Sequence, residues 1–497
     1  MKQSCLPVLA AALLLAPSAA SRSVTWTRRQ ETTTFVSQGN PILADGSVYS
    51  ADPAPLVVND TVYILSGRDE AGPTTNDFVI NEWQVFSAVN PSPEGGDTWT
   101  LHRGVATPDE IFEWAAAGGA YAAQIVRGPD DDSRFWLYAP VRQRDAGGAA
   151  DAFGIGVAVS ESGPLGPFRD AHPAGPIISQ TEPAPGNDMH NIDPTVLVDE
   201  GEGDGPARVY IYWGSFGALR GYELDVSDMT TVISSSAVSV GSLTGFFEAP
   251  WLMRREQTYY MLYAANNAGP DSPCTPTSYH ACIAYGTAGS ALGPWTFGGV
   301  ILDVVSSTTS HPGVYVLPDD RHFLTYHTRD AVGGTHFRRS VAFDELKFED
   351  DGSIRKVVQT RGEASGPDPG PSRNVAPQAE ATSSVETPIQ YWIASLNDGR
   401  VDANPLPPDY WSSYAAERSP ESVVLTYTWP DTVALNGASM VFFADQPAGS
   451  NIGVPPPKSV SLTNGSICIS LLYLDDTLGT CLPIPLQNPR TRYMATY

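Results

Sequence analysis

The stretch Asp193-Pro194-Thr195-Val196-Leu197-Val198, a polar turn, and then Val209-Tyr210-Ile211-Tyr212-Trp213 decides the fold, because the chain repeats that phrase five times. The other copies are Asp52 to Val58 with Val62-Tyr63-Ile64-Leu65-Ser66, and Ala120 to Val126 with Phe135-Trp136-Leu137-Tyr138. Glu248 to Met253 with Tyr259-Tyr260-Met261-Leu262-Tyr263, and His311 to Val316 with His322-Phe323-Leu324-Thr325-Tyr326, complete the set. A second hairpin follows each unit, as in Trp83-Gln84-Val85-Phe86-Ser87 with Thr98-Trp99-Thr100-Leu101. Four strands per unit, at a period of about 55 to 75 residues, read as an all-β fold, a five-bladed β-propeller. A sandwich would not repeat one four-strand pattern five times, and helical signals are almost absent.

Working outward, the 497 residues hold 29 Lys and Arg against 55 Asp and Glu, a net charge of −26. Phosphate neutralisation needs clustered cations, so nucleic acid and anionic membrane are excluded as partners. Prolines (43) and glycines (45) are spread along nearly the whole chain, which rules out helical bundles and fits a turn-rich fold. Residues 1–20 read as a secretory signal peptide: Lys2, an apolar run from Leu6 to Leu15, and Ser18-Ala19-Ala20 as the cleavage site. The mature chain is therefore expected to be secreted, extracellular and soluble, and a monomer.

Cysteine usage agrees with that compartment. Cys5 leaves with the signal peptide, and the other four form two close pairs, Cys274 with Cys282 and Cys468 with Cys481. Four cysteines allow three pairings, of which proximity favours these two disulfides. The sequons at Asn59 and Asn464 are candidate glycosylation sites, and Asn59 lies between two strand-like runs where a surface turn is expected.

In a propeller the first strand of each blade lines the central channel, so the residues opening the units gather at one funnel. Asp52, Asp193, Glu248 and His311 open four of the five. Any one acid beside a proline is more often plain turn chemistry, but three at corresponding places are not. Two carboxylates facing across a pocket can cleave a glycosidic bond. At a separation of about 6.5–9.5 Å a water fits between them and the outcome is inversion. Glu248, among Phe246, Phe247, Pro250 and Trp251, has the apolar setting of a protonated general acid. Asp52, beside Ser50, suits the general base, and Asp193 suits a modulator that holds up the acid's pKa.

These residues resemble a known family, the five-bladed glycoside hydrolases of family 43. The matching segments are Tyr49-Ser50-Ala51-Asp52-Pro53-Ala54-Pro55, His190-Asn191-Ile192-Asp193-Pro194-Thr195 and Gly245-Phe246-Phe247-Glu248-Ala249-Pro250-Trp251. Phe112-Glu113-Trp114-Ala115, Tyr212-Trp213-Gly214 and Arg339-Ser340-Val341 are also similar, and the resemblance spans about residues 36–362. It implies Asp52 as base, Glu248 as acid and Asp193 as pKa modulator. It also implies Trp114 as an aromatic wall of the sugar subsite and Arg339 as a contact to substrate hydroxyls. His311 resembles the axial histidine that binds a water or a structural Ca2+ in the channel; no cofactor is required. The implied substrates are plant cell-wall polysaccharides such as arabinoxylan, arabinan and xylan. The expected activity is α-L-arabinofuranosidase first and β-xylosidase second, with endo-arabinanase, exo-galactosidase or a non-catalytic carbohydrate-binding propeller as alternatives. The second and fifth units depart from the family pattern at Ala120-Tyr121-Ala122-Ala123 and Ser310-His311-Pro312-Gly313.

Sialidases are the rival propeller enzymes. Ser92 to Trp99 looks like one of their aspartate boxes, but it occurs once and no arginine cluster accompanies it. The propeller is expected over 21–362 and a Pro/Gly-rich linker over 363–373. Residues 374–497 are expected to form a small β-sandwich resembling galactose-binding-like (discoidin) modules. Leu462 to Tyr497 reads as lacking the closing strand that such a module needs, and hence as incomplete.

Overall fold

The computed structural model describes residues 30–129, 133–144, 153–179, 191–201, 205–265, 272–274, 281–305, 309–361, 374–388, 391–400, 409–413, 423–430 and 433, together with the backbone of 461–463 and 493–496. The residues read from sequence as signal peptide and linker, and Asn464, fall outside these residues. Of the two expected disulfides, the structure shows one, between Cys274 and Cys282. The other does not appear in it, because Cys468 and Cys481 both lie outside the described residues. Asn59 is exposed at φ 55° in the two-residue turn between Ala51–Val58 and Thr61–Asp69.

Five sheets follow one another along the chain. Their first strands are Ala51–Val58, Gln124–Arg127, Thr195–Asp199, Phe246–Arg255 and Gly313–Val316. Each touches the first strand of the next blade, and the fifth touches the first, so the ring closes. Blades two, three and four have four antiparallel strands each. The alternating aromatic strands place Trp83, Trp99, Trp213, Tyr138 and Tyr212 fully inside, and this apolar packing is the main force holding blade to blade. Polar ends are satisfied across blades. Tyr138 donates to the Met229 carbonyl at 2.7 Å and Tyr212 to that of Ala291 at 2.9 Å. Gln124 exchanges two hydrogen bonds with the Val196 backbone. The α-helix found among the described residues is one turn, Pro108–Ile111.

Two features differ from the repeated four-strand expectation. Blade one has a fifth, outermost strand, Glu31–Val36, paired with Thr98–Ala106. Blade five has three: Gly313–Val316, His322–Thr328 and Ser340–Leu346. The outer edge of its last strand is occupied by irregular chain from the N-terminal side. The Ile42 N–H donates to the Val341 carbonyl at 2.9 Å and the Ser50 N–H to that of Arg339 at 2.8 Å. The Asn40 amide stands in for a strand residue, donating to the Phe343 carbonyl and accepting its N–H. Closure of the ring thus rests on residues 40–50, which carry no strand pattern and so give no signal in sequence.

The Ser92–Trp99 segment is the hairpin turn of blade one, with the Ser92 N–H bound to Asp97. Beyond the propeller, Glu380–Ser383, Val424–Thr428, Tyr493–Thr496 and Ser461–Thr463 form one antiparallel sheet in that spatial order. At the C-terminal end, where the sequence shows no closing strand, Tyr493–Thr496 pairs between two others. At four residues it is too short to show alternation in sequence.

Candidate active site

The first strands enter the funnel through one recurrent backbone device. Asp52, Asp193, Ala249 and His311 all precede proline and all adopt left-handed φ, at 57°, 58°, 57° and 46°. Such a conformation is uncommon outside glycine and turns each strand sharply at the channel mouth. Cross-strand pairing confirms the correspondence. Ala54, Thr195 and Gly313 pair with Leu65, Tyr212 and Thr325, each lying two residues after its opener. In blade four that place belongs to Trp251, level with Leu262, across an irregularity between Glu248 and Trp251. The residue equivalent to Asp52 is therefore Ala249, and Glu248 stands one position earlier, whereas the sequence alone aligns Glu248 with the openers. An offset of one residue on an extended strand sends the side chain to the other side, which explains why this acid has surroundings of its own.

Asp52 is 7% exposed and lies among cationic and polar partners. Arg339 Nη1 donates to its Oδ1 at 3.0 Å. The Asp52 N–H donates to His327 Nδ1 at 3.2 Å, and His311 Nδ1 lies 3.6 Å from the carboxylate. Burial pushes its pKa up, but the Arg339 charge, helped by the His327 ring nitrogen 3.3 Å from the carboxylate, outweighs that and holds it well below the usual carboxylate range. Arg339 is itself fixed by Asp69 through Nε and Nη2, both at 2.9 Å, while its own backbone N–H donates to Asp69 at 2.8 Å. The fork geometry of a guanidinium pins two carboxylates at once. Its cation also lies 4.9 Å from the centre of the Phe78 ring. Burial lowers the pKa of His311 to about 4 against the opposing pull of Asp52, so the imidazole is neutral near pH 7.

Glu248 and Asp193 have the opposite environment. Glu248 is partly buried and accepts a 2.6 Å hydrogen bond from the Ser215 hydroxyl. Burial raises its pKa against the hydrogen bonds of Ser215 and Thr309, and the Asp52 charge raises it further. Asp193, 6% exposed, accepts the Ala249 N–H at 3.1 Å and so grips the backbone beside Glu248. Burial first, then the charges of Glu248 and Asp52, raise its carboxyl well above the ordinary range. Asp193 and Glu248 thus titrate as a pair that keeps a proton where free carboxyls would have lost it. Ser215 is delivered by Gly214 at φ 138°, where a Cβ would lie 1.7 Å from the Ala218 carbonyl oxygen. Only glycine fits this turn.

Of the residues singled out from sequence, Asp52, Asp193, Glu248, Arg339 and His311 come together. The contacts that the structure gives Trp114 are with other residues. Its indole N–H donates to Asp170 at 3.1 Å, and its ring lies beside Phe112 and against Gly156, all within blade two or its flank. His190 lies outside the described residues. Among the described residues, the donor set around His311 does not fit calcium, which takes oxygen ligands. Its neighbours are Asp52, already bound by Arg339, and the imidazole of His327. Among the described residues no group of three His, Cys, Asp or Glu could hold a metal. Sequence reasoning missed Asp69, His327, Ser215 and Thr309. Of these, Asp69 and His327 are strand residues whose role follows from pairing across the ring. It also missed two aromatic groups flanking the acids: Phe216 against Phe247 at 5.2 Å, and Phe78 against Phe337 at 4.7 Å. Phe216 carried a signal, standing next to Gly217 and two residues after Gly214; it is 56% exposed at φ 52°.

Comparison with known proteins identifies the family. Residues 39–354 match the family described as Glycosyl hydrolases family 43. The xylosidase/arabinosidase 43A of Humicola insolens is 26% identical over 362 residues, covering 62% of this chain and 96% of that protein. A β-D-galactofuranosidase of Aspergillus niger is 25% identical over 337 residues, covering 66% and 86%. A family 43 β-xylosidase/α-arabinofuranosidase from a compost metagenome, crystallised with xylotriose, is 23% identical with a TM-score of 0.48, covering 65% of this chain and 98% of that one. The chain belongs to glycosyl hydrolases family 43 and is a glycosidase.

Proposed function

We propose that this protein is a secreted, inverting, exo-acting glycosidase that releases L-arabinofuranosyl or D-xylosyl residues from plant cell-wall polysaccharide, with α-L-arabinofuranoside the first choice and β-xyloside the second. The observation that carries the mechanism is the split in protonation across one funnel. Asp52 is held ionised by Arg339, and the Asp193/Glu248 pair retains a shared proton, because burial and the neighbouring carboxylates raise both pKa values. In this reading Asp52 takes a proton from water as the water attacks the anomeric carbon. Glu248 gives its proton to the departing glycosidic oxygen, and the charge of Asp193 keeps that proton in place until then. Arg339 orients Asp52, and no cofactor enters the chemistry. Phe78 and Phe216, exposed among the described residues, are aromatic faces offered to sugar rings. The names of relatives such as the Humicola insolens enzyme support a pentose substrate.

A second reading, release of galactofuranose, has the support of the Aspergillus niger relative. A chromogenic panel of arabinofuranoside, xyloside and galactofuranoside decides between them. The expected result is turnover of a pentoside, with the product appearing first as the inverted anomer by NMR. Preference for the galactofuranoside would establish the second reading, and retention of configuration would overturn the proposed mechanism.

A further inference from the structure

The loop between His322–Thr328 and Ser340–Leu346 leaves blade five one residue after His327 and returns at Arg339, two residues that touch Asp52. Its tip carries His336 and Phe337, packed against Phe78 at 5.7 and 4.7 Å. One side of the loop is held by the propeller: the Val332 N–H donates to the Ala44 carbonyl, and Tyr49 donates to the Val332 carbonyl, both at 2.8 Å. The other side is held by residues beyond the linker. Arg329, 4% exposed, donates to Asp398 at 3.1 Å and forms an ion pair with Asp409. Arg400 reaches back to the Arg329 carbonyl at 2.8 Å, also caps the Gly334 carbonyl, and lies 3.8 Å from Asp330. Backbone carbonyls at both ends of a turn are thus gripped by one guanidinium, and the buried cation at its base is neutralised by two carboxylates from the same C-terminal segment. Removing one partner of a buried ion pair strands the other charge, so this contact resists being broken. A surface contact between loosely joined modules would bury no such group.

We infer that the C-terminal segment carrying Asp398, Arg400 and Asp409 is a positioning element of the active site, clamping the 329–338 loop so that His327 and Arg339 meet Asp52 and Phe337 meets Phe78. This rests on the proposed role of Asp52 as the base. It assigns the C-terminal module a part in turnover itself, beyond attachment to polysaccharide.

The test uses the full-length chain with Arg400→Ala, Arg400→Lys and, as a control within the same module, Trp429→Phe, which removes the indole bond to the Val375 carbonyl. Two readouts are taken: hydrogen exchange of peptides covering 328–339 without substrate, and kcat and KM on the best chromogenic pentoside. Arg400→Ala should speed exchange in those peptides and lower kcat at least tenfold with a smaller change in KM. Arg400→Lys, keeping the cation and one carbonyl contact, should restore most of both, and Trp429→Phe should change neither. Wild-type exchange and kinetics in Arg400→Ala would overturn the inference. So would faster exchange with unchanged kcat, or equal losses in Trp429→Phe. If the wild type turned over no substrate on the panel, the sugar assignment would fall, and exchange alone would decide whether the clamp exists.

Discussion

The Asp193 carboxyl is held against the peptide that follows Glu248 and shares a proton with that residue, so in the state where Glu248 holds that proton the Asp193 charge opposes ionisation of the acid at close range. Replacing it with asparagine removes that charge and should lower the pKa of Glu248. The alkaline limb of kcat/KM against pH then moves to lower pH while the acidic limb, set by Asp52, stays in place. An unchanged alkaline limb would show that Asp193 does not tune the acid. A stability effect follows from the same pair. Both carboxyls have raised pKa values in the folded state, so their contribution is full below the unfolded value of about 4 and is lost as pH rises through the folded value. Glu248→Gln removes the repulsion, so it should stabilise the protein more at pH 8 than at pH 5. The difference should be roughly 1.4 kcal/mol for each tenfold change in proton affinity that is relieved, read from urea unfolding at the two pH values. Equal gains at both would contradict the shared-proton picture. At this scale the acids were legible because chemistry needs carboxylates and they stood at unit openings. Asp69 and His327 were not, since an Asp or His within a strand signals nothing until the ring brings it to Arg339 or Asp52.

Strands and turns show the same division between what is local and what is not. The five apolar-turn-aromatic phrases could be read because period-two burial leaves its mark on each strand separately. The register was hidden, because the irregularity between Glu248 and Trp251 exists only against its partner strand. That one residue makes Ala249 the repeat equivalent of Asp52 and frees Glu248 to face Ser215. Residues 40–50 were equally silent, since they pair with blade five without strand geometry. Asn40 is the most exacting of them: its amide satisfies both the carbonyl and the N–H of Phe343 in a buried setting. Asn40→Ala strands two backbone groups and should cost about 2–6 kcal/mol, at about 1–3 kcal/mol per unmet partner. Urea unfolding would measure it, and a loss under about 0.5 kcal/mol, the range of ordinary surface substitutions, would show that the ring closes by other means.

For the whole molecule, one repeated blade accounts for the Gly, Pro and aromatic load, and the closed ring brings residues far apart in sequence into contact, Arg339 with Asp52 and Asp69. The propeller and its acid funnel were therefore readable from local phrases plus the rule that such phrases form a ring. The C-terminal module was less readable, because its strands are short and its hold on blade five runs through Asp398, Arg400 and Asp409, which look like ordinary surface charges in sequence. The ring assigns different tasks to Asp52 and Glu248, and leaving-group chemistry separates them. Proton donation matters only when the departing oxygen is a poor leaving group, whereas activation of water is needed for every substrate. The decisive measurement is kcat/KM of Glu248→Gln and Asp52→Asn on a pento-oligosaccharide and on the dinitrophenyl glycoside of the same sugar. The expected result is a loss of about 10²–10⁴-fold on the oligosaccharide for both variants, with Glu248→Gln near wild type on the dinitrophenyl glycoside and Asp52→Asn still crippled. Equal losses on the two substrates for Glu248→Gln, or wild-type rates for Asp52→Asn, would contradict the assignment of acid and base.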